Sequence, residues 1–296
     1  MNDKISVLMS AYNEKPYWFE LSLLSILNQT ITQLDIVLII DNPNNKELIK
    51  VAKKYCDIDS RINLIINSEN KGLVYSLNKG LKLCKFDIIA RMDSDDISDN
   101  DRFEKQLKYL NNNKNCVLCG TQAIFIDENN KALSKRDMVP CVFDDIKKLI
   151  KYRNVFYHPS IMFRKKDIMD IGGYRDIKYA EDYDLITRLI LNGKEVCNLD
   201  DILLKYRIRS NSITQSNDNI QRNSEYYVKH NFKNNIIDDK KEFINSEKFF
   251  LKHKISRKLD RIIYKIRNKR RVWLKLYSIL LHFRRKNKYI NLRDCL

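Results

Sequence analysis

Glycine and proline are scarce: six Gly and four Pro in 296 residues. Beyond Gly193 there is neither, so the last hundred or so residues contain none of the strong helix breakers. That shift in composition separates a loop-bearing body from a helical C-terminus. Long apolar runs are missing as well. The longest uncharged stretch, Leu21–Leu34, is broken by Ser, Asn, Gln and Thr. A spanning helix needs about 18–20 predominantly apolar residues, so none is expected. The start, MNDKISVLMSAYNE, enters a strand-like run without an apolar leader core or a small-residue cleavage site, so no secretory signal is expected either. Seven cysteines stand at irregular spacing, and the reducing cytosol is the default compartment. Cys116-x-x-Cys119 has no second Cys or His pair at zinc spacing, and CVLCGTQAIFI reads as a buried strand. There is no GxGxxG, which weakens a dinucleotide reading, and no GxxxxGK[ST], which excludes a P-loop.

What is present is enough for a sizeable core. Hydrophobic residues make up 44% of the chain and aromatics 10%. The net charge is +17, but it is not spread evenly. Residues 248–296 hold 17 Lys and Arg against two acids, a net +15, which leaves +2 for everything before them. A basic nucleic-acid binder is therefore not the reading for the body, and no nucleic-acid partner is expected.

The first half alternates between strand and helix patterns. Ile5–Met9, Ile36–Ile40, Ile62–Ile66 and Phe86–Ala90 are short continuous apolar runs and predict strands. Between them, Trp18–Leu27, Glu47–Tyr55 and Leu73–Leu83 carry helical periodicity. This predicts an α/β fold with a parallel sheet covered on both faces. In such sheets ligands bind beyond the carboxyl ends of the strands. Three polar clusters stand there: Ser10 to Glu14, Asp41 to Asn44, and Arg91-Met92-Asp93-Ser94-Asp95-Asp96. Three carboxylates within four residues repel one another unless they are exposed or share a cation. Hard divalent ions take oxygen ligands and bridge carboxylates to a diphosphate. The plainer alternative is a solvated turn in which Asp96 or Ser98 caps a helix at Arg102–Leu110.

The segments SVLMSAYNE, IIDNPNN, NKGL, IARMDSDD, HPS, GGY, AEDYDL and YRIRSNSIT occur in that order. Together they resemble bacterial family 2 glycosyltransferases of GT-A fold, and more narrowly those that build capsule, exopolysaccharide and O-antigen repeat units. The resemblance covers about residues 4–215 and implies a catalytic domain over 1–215 followed by a helical basic extension over 216–296. It implies an inverting transferase that moves a sugar from a nucleotide-diphosphate donor, a UDP-sugar, to a saccharide acceptor, lipid-linked or oligosaccharide. By resemblance, Ser10, Tyr12, Asn13 and Glu14 border the nucleotide pocket, Asp41 holds the uracil, and Asn78 lies near the nucleotide. Asp93-Ser94-Asp95 is the DxD motif, with Asp93 and Ser94 at the nucleotide sugar, Asp93 near the ribose, Asp93 and Asp95 on a Mn²⁺ or Mg²⁺ ion, and Asp96 beside them. Where the family usually has a second acid before Asp41 this chain has Ile40, which leaves the uracil contact to Asp41 alone. Glu181-Asp182 is the ED motif, and Asp182 is the implied general base. Acids also favour helix N-termini through the helix dipole, which explains their presence without excluding catalysis. His158 is a candidate for the acceptor site and equally a structural histidine. Arg207 is a candidate for the diphosphate and equally an internal ion pair, and Arg209 stands where the family often has His.

In the tail, Ile255, Leu259, Ile262, Ile263 and Ile266 form a helical stripe among Lys and Arg. Trp273, Leu274, Tyr277, Leu280 and Leu281 resume it. That is the pattern of an interfacial helix on an anionic membrane surface, or of a helix packed on the body. The expected location is the cytoplasmic face of the bacterial inner membrane, held peripherally. The rival reading from another class is a non-enzymatic basic adaptor that binds nucleic acid or anionic lipid through this tail. A nucleotidyltransferase would need an early basic phosphate loop, and Ser10–Lys15 is not one.

Overall fold

Apolar runs build the strands, and their neighbours decide how far each strand extends. In the structure, a computed structural model that describes residues 4–133, 138–209 and 218–237, β1 is Ile5–Ala11, β2 Leu34–Ile40, β3 Ile62–Ile66 and β4 Ile88–Asp93. The helices between them are α1 (Pro16–Leu27), α2 (Lys46–Ile58) and α3 (Leu73–Leu83). The expected elements are all there, with one correction of substance. The sequence reading ended the fourth strand at Ala90 and put Arg91 in the loop. The strand instead continues to Asp93, because Ser10 and Asp93 are still in register across β1 and β4 and Arg91 N donates to Ile161 O at 2.9 Å.

The rest of the body comprises β5 (Ile97–Ser98), α4 (Arg102–Asn112), β6 (Cys116–Ile126), α5 (Phe143–Leu149), a 3₁₀ turn at His158–Ser160, β7 (Met162–Arg164), α6 (Lys165–Asp170), α7 (Glu181–Leu191), β8 (Glu195–Arg207) and α8 (Asp218–Lys233). The eight strands form one sheet in the order β3-β2-β1-β4-β7-β6-β8-β5. Pairing is parallel from β3 through β4 and again between β6 and β8. Strand β7 runs antiparallel to both β4 and β6, and β5 antiparallel to β8. The architecture is the expected α/β, mostly parallel sheet. The compact unit that contains it runs to Ile237.

The period-two alternation of each strand divides the core. Val7, Met9, Ile36, Leu38, Ala90 and Met92 pack with Phe19 and Leu23 of α1, Leu48 of α2 and Phe103 of α4. Apart from Ala90, each such side chain contributes about 1.5–3 kcal/mol through burial. The opposite face carries Leu8 and Ile39 against α3, where a Cβ on Gly80 would lie 2.1 Å from Leu8 Cδ1. Arg91 and Asp93 share one face of β4 and therefore meet. The Cys116-x-x-Cys119 pair lies within β6 as free buried thiols, as the strand reading expected. Among the described residues no helix is long and apolar enough to cross a membrane.

Candidate active site

The acidic cluster begins on the last residue of β4. Asp93 is partly exposed, whereas Ser94, Asp95 and Asp96 are buried. One ligand atom from each of Asp93, Asp95 and Asp96 lies within 4.8 Å of the others. This is not a solvated capping turn: Ser98 is buried too, and Asp101, not Asp96 or Ser98, occupies the N-cap of α4, its carboxylate paired with Lys105 rather than capping the helix. Two arginines, Arg207 at the end of β8 and Arg209 just beyond it, hold the cluster in shape. Arg207 N donates to Asp96 Oδ1 at 2.7 Å, and Arg207 Nε donates to the Asp95 carbonyl at 2.7 Å. Arg209 Nε pairs with Asp95 Oδ2 at 3.0 Å. From below, Ser22 Oγ donates to the Asp93 carbonyl at 2.7 Å.

These residues fit a divalent cation. Burial, then the charge of Asp93, pushes the Asp95 carboxyl up to about 7. Burial and the neighbouring Asp95 and Asp93 push Asp96 well above the usual carboxylate range. Asp96 Oδ2 is buried with no hydrogen-bond partner. Converging, under-compensated carboxylate oxygens are the donor set that Mg²⁺ and Mn²⁺ prefer.

The second acidic pair opens α7. Glu181 and Asp182 are half-buried in its first turn. Asp182 Oδ2 accepts from Asn154 Nδ2 at 2.8 Å and Oδ1 from Tyr183 N at 2.7 Å, so both oxygens are oriented. Burial pushes Asp182 up to about 6, against the Tyr183 N–H and Arg91, which favour its charged form. Burial and the charge of Asp182 push Glu181 up to about 8. Asp184, one acid further on, is locked between Arg175 and Arg188. His158 is buried, with Nε2 2.9 Å from the Tyr174 hydroxyl. Burial and the positive charge of Arg91 push its pKa well down, so the ring is neutral at pH 7.

Other residues singled out from the sequence serve as braces. Asp41 is buried, and its carboxylate accepts from Asn67 Nδ2 (2.7 Å), Lys71 N (2.9 Å) and Gly72 N (2.7 Å), which ties the NKG loop to the end of β2. Asn78 is fully engaged with the Tyr174 backbone, donating to its carbonyl at 2.8 Å and accepting its N–H at 2.9 Å. Arg207, besides holding Asp95, donates to the Asp127 carbonyl at 2.9 Å and lies over the Trp18 ring, contacts that are all internal. Ser10 is half-buried beside Asp93, and Tyr12 stands 41% exposed, the more open of the two. Glu14 accepts from Tyr12 N at 2.8 Å, and Asn13 from Asn42 at 2.6 Å.

The sequence reading assigned nothing to Arg91, Asn154 or Asn67. A signal existed for Arg91: it is the one charged residue in the middle of Ile88–Asp93, at a position a covered strand keeps apolar. Asn154 carries no local signal, because its partner lies 28 residues away.

Residues 6–172 match the family model described as glycosyl transferase family 2. The chain is 37% identical over 211 residues to the amylovoran biosynthesis glycosyltransferase AmsE of Erwinia amylovora, covering 71% of this chain and 78% of that protein. It is 35% identical over 216 residues to the O-antigen biosynthesis glycosyltransferase WbnJ of Escherichia coli, covering 72% and 83%. It is 31% identical over 210 residues to the UDP-Gal:alpha-D-GlcNAc-diphosphoundecaprenol beta-1,3-galactosyltransferase of E. coli, covering 69% and 74%. Among solved structures, S. aureus TarS residues 1–349 in complex with UDP-GlcNAc superposes with TM-score 0.61 at 17% identity, covering 87% of this chain and 78% of that one. The mannosyltransferase PcManGT of Pyrobaculum calidifontis, with GDP-Man and Mn²⁺, gives 0.56 at 15%, covering 72% and 59%. These two establish the GT-A-like fold.

Proposed function

The chain belongs to glycosyl transferase family 2, and from that premise we propose that it transfers a sugar from a UDP-sugar to a lipid-linked saccharide in the assembly of a surface polysaccharide, inverting the anomeric centre. The carrying observation is the pair of acidic groups: the convergent Asp93, Asp95 and Asp96 at the end of β4, and the oriented Glu181–Asp182 at the start of α7. One is suited to a metal–diphosphate and the other to an acceptor hydroxyl. The donor class is supported by relatives and neighbours that handle UDP-Gal and UDP-GlcNAc, and the acceptor class by the relative that acts on a diphosphoundecaprenol-linked sugar.

Asp93 and Asp95 hold the cation, Mn²⁺ or Mg²⁺, with Asp96 beside them. When bound, it neutralises charge growing on the departing diphosphate. Ser10, Tyr12, Glu14, Asp93 and Ser94 border the nucleotide sugar. Asp182 takes the proton of the attacking acceptor hydroxyl. The Asn154 amide and the Tyr183 N–H leave each of its oxygens a free lone pair for that proton. His158, neutral and bonded to Tyr174, shapes the acceptor side and carries no charge there. The basic tail, residues 248–296, holds the enzyme at the anionic cytoplasmic surface where lipid-linked acceptors are presented; it lies outside the described residues. Screening nucleotide sugars for Mn²⁺- or Mg²⁺-dependent hydrolysis tests the reading. A UDP-sugar is expected to be cleaved in preference to GDP- or CMP-linked donors, and failure of every UDP-sugar with either ion sinks it.

A further inference from the structure

Asn154 lies in the connection between α5 and the 3₁₀ turn, 28 residues before Asp182, and its Nδ2 donates to Asp182 Oδ2 at 2.8 Å. The other bond to that carboxylate, from Tyr183 N to Oδ1, is made by the backbone of α7 itself. The Asn154 amide is fixed in one sense. Its Oδ1 accepts the Phe156 N–H at 3.1 Å, which leaves the NH₂ end for Asp182. The connection is gripped from both sides as well. The Tyr183 hydroxyl donates to the Ile150 carbonyl, so α7 holds the start of the segment that steers its own Asp182. From β8, Asn198 Nδ2 donates to the Val155 carbonyl at 3.1 Å and to the Pro140 carbonyl at 2.8 Å. Gly120 of β6 makes room for that amide: a Cβ there would lie 2.2 Å from Asn198 Oδ1 and 3.0 Å from the Phe156 ring.

We propose that Asn154 is the positioning residue of the base: its amide, locked by the Phe156 N–H, donates to Asp182 Oδ2 and holds that carboxylate in the one rotamer from which it takes the acceptor proton. The inference rests on the reading of Asp182 as the base. The charged groups around α7 are engaged with one another: Asp184 with Arg175 and Arg188, Glu225 of α8 with Lys229 at 2.9 Å, Asp167 of α6 with Lys194 at 2.7 Å, and Arg91 of β4 with Asp93. A neutral amide therefore does the steering. It uses one lone pair of Oδ2 and leaves the carboxylate its charge, whereas a guanidinium fork would occupy both oxygens.

The test is kinetic, on Mn²⁺-supported hydrolysis of UDP-galactose or UDP-N-acetylglucosamine, with water standing in for the acceptor. Asn154→Asp keeps the acceptor for the Phe156 N–H, and with it the shape of the connection, but turns a carboxylate toward Asp182 in place of a donor. Its kcat should fall by about 10–100-fold, the scale of a misplaced catalytic group, with KM for the donor within about twofold of wild type. Asn154→Ala, which loses both bonds, should fall in the same range. If Asn154→Asp shows no cooperative melting, Asn154→Ser carries the same expectation, since its hydroxyl can still accept from Phe156 N and is too short to reach Asp182. A kcat near wild type in the folded variant means that the residue only shapes the connection, and overturns the proposal; so does a change confined to KM. In the Asp182→Asn background, Asn154→Ala should cost less than about a further twofold, because the carboxylate it steers is gone. A full second loss there also overturns it. Asp182→Asn alone separates the two readings. Near-normal turnover refutes the base and this proposal with it, whereas a slow Asp182→Asn beside an unimpaired Asn154→Asp leaves the base standing and removes Asn154 only.

Discussion

At the residue scale, the two acidic groups predict different failures. Asp95→Ala removes a metal ligand from a cluster whose backbone is held independently by Arg207, so the protein should fold. Calorimetry should then show UDP binding that no longer responds to Mn²⁺; undiminished, metal-stimulated binding would remove Asp95 from the ligand set. Asp182→Asn is nearly isosteric and deletes the proton acceptor. Turnover should fall by about 10²–10⁴-fold, the usual scale for a general base, with donor affinity little changed. Near-normal turnover would move the role to Glu181, since Asp184 is already committed to Arg175 and Arg188. The pH dependence follows in sign. Burial raises Asp182 to about 6, so its charged, proton-accepting form dominates above that value and is lost below it. Rate against pH should therefore fall through about pH 6 and approach a tenfold loss per further unit. The motifs made Asp93, Asp95 and Asp182 legible because their side chains act where the chain places them. Asp41 and Asn78 were legible as sites but not as braces, because their partners come from Asn67 and Tyr174, whereas the internal role of Arg207 was one of the two readings its sequence allowed.

The elements were read from periodicity, and periodicity fails where charge enters a strand. IVLII and INLII needed nothing beyond their apolar runs, whereas β4 outlasts its apolar part because Arg91 finds Asp93 on the same face. The apolar stretch Ile161–Phe163 signals a strand at β7, but nothing in the sequence marks its antiparallel insertion between β4 and β6. That strand brings the segment after His158 against the donor half. A second tie between the halves runs from α3 to the loop before α7. Asn78 bonds both backbone groups of Tyr174, and Gly173, at φ +72°, leaves room for it: a Cβ there would sit 2.5 Å from Asn78 Oδ1. Asn78→Ala should cost about 1–3 kcal/mol by leaving these groups unsatisfied, which is about 2–4 °C of Tm per kcal/mol in a domain of this size. Gly173→Ala should cost at least as much, because the strained φ adds to the clash. Thermal melts of both variants check the tie, and wild-type stability in both would show that the loop is held by other contacts.

For the whole molecule, charge and chemistry are separated along the chain: a nearly neutral body carries the site and a +15 segment follows it. A chain cut after Glu247 should still hydrolyse the donor yet work poorly on an acceptor embedded in anionic vesicles. Full-length protein should sediment with such vesicles at low salt and be released in part as the Debye length shortens from about 10 Å at 0.1 M to about 3 Å at 1 M. No sedimentation at low salt would end the membrane reading. A different consequence follows from where β8 sits. Among the described residues it is the last strand in the chain, yet it is inserted between β6 and β5, and its final residue closes on Asp96 across 111 residues of sequence. A ribosome therefore delivers the three aspartates long before the arginine that holds their turn in shape. Domains generally fold as units during synthesis, and here the unit is not finished until β8 emerges. Polypeptides clipped before Arg207 should therefore leave UDP-sugars intact, and cleavage by such a fragment would show that the aspartate turn keeps its shape without β8.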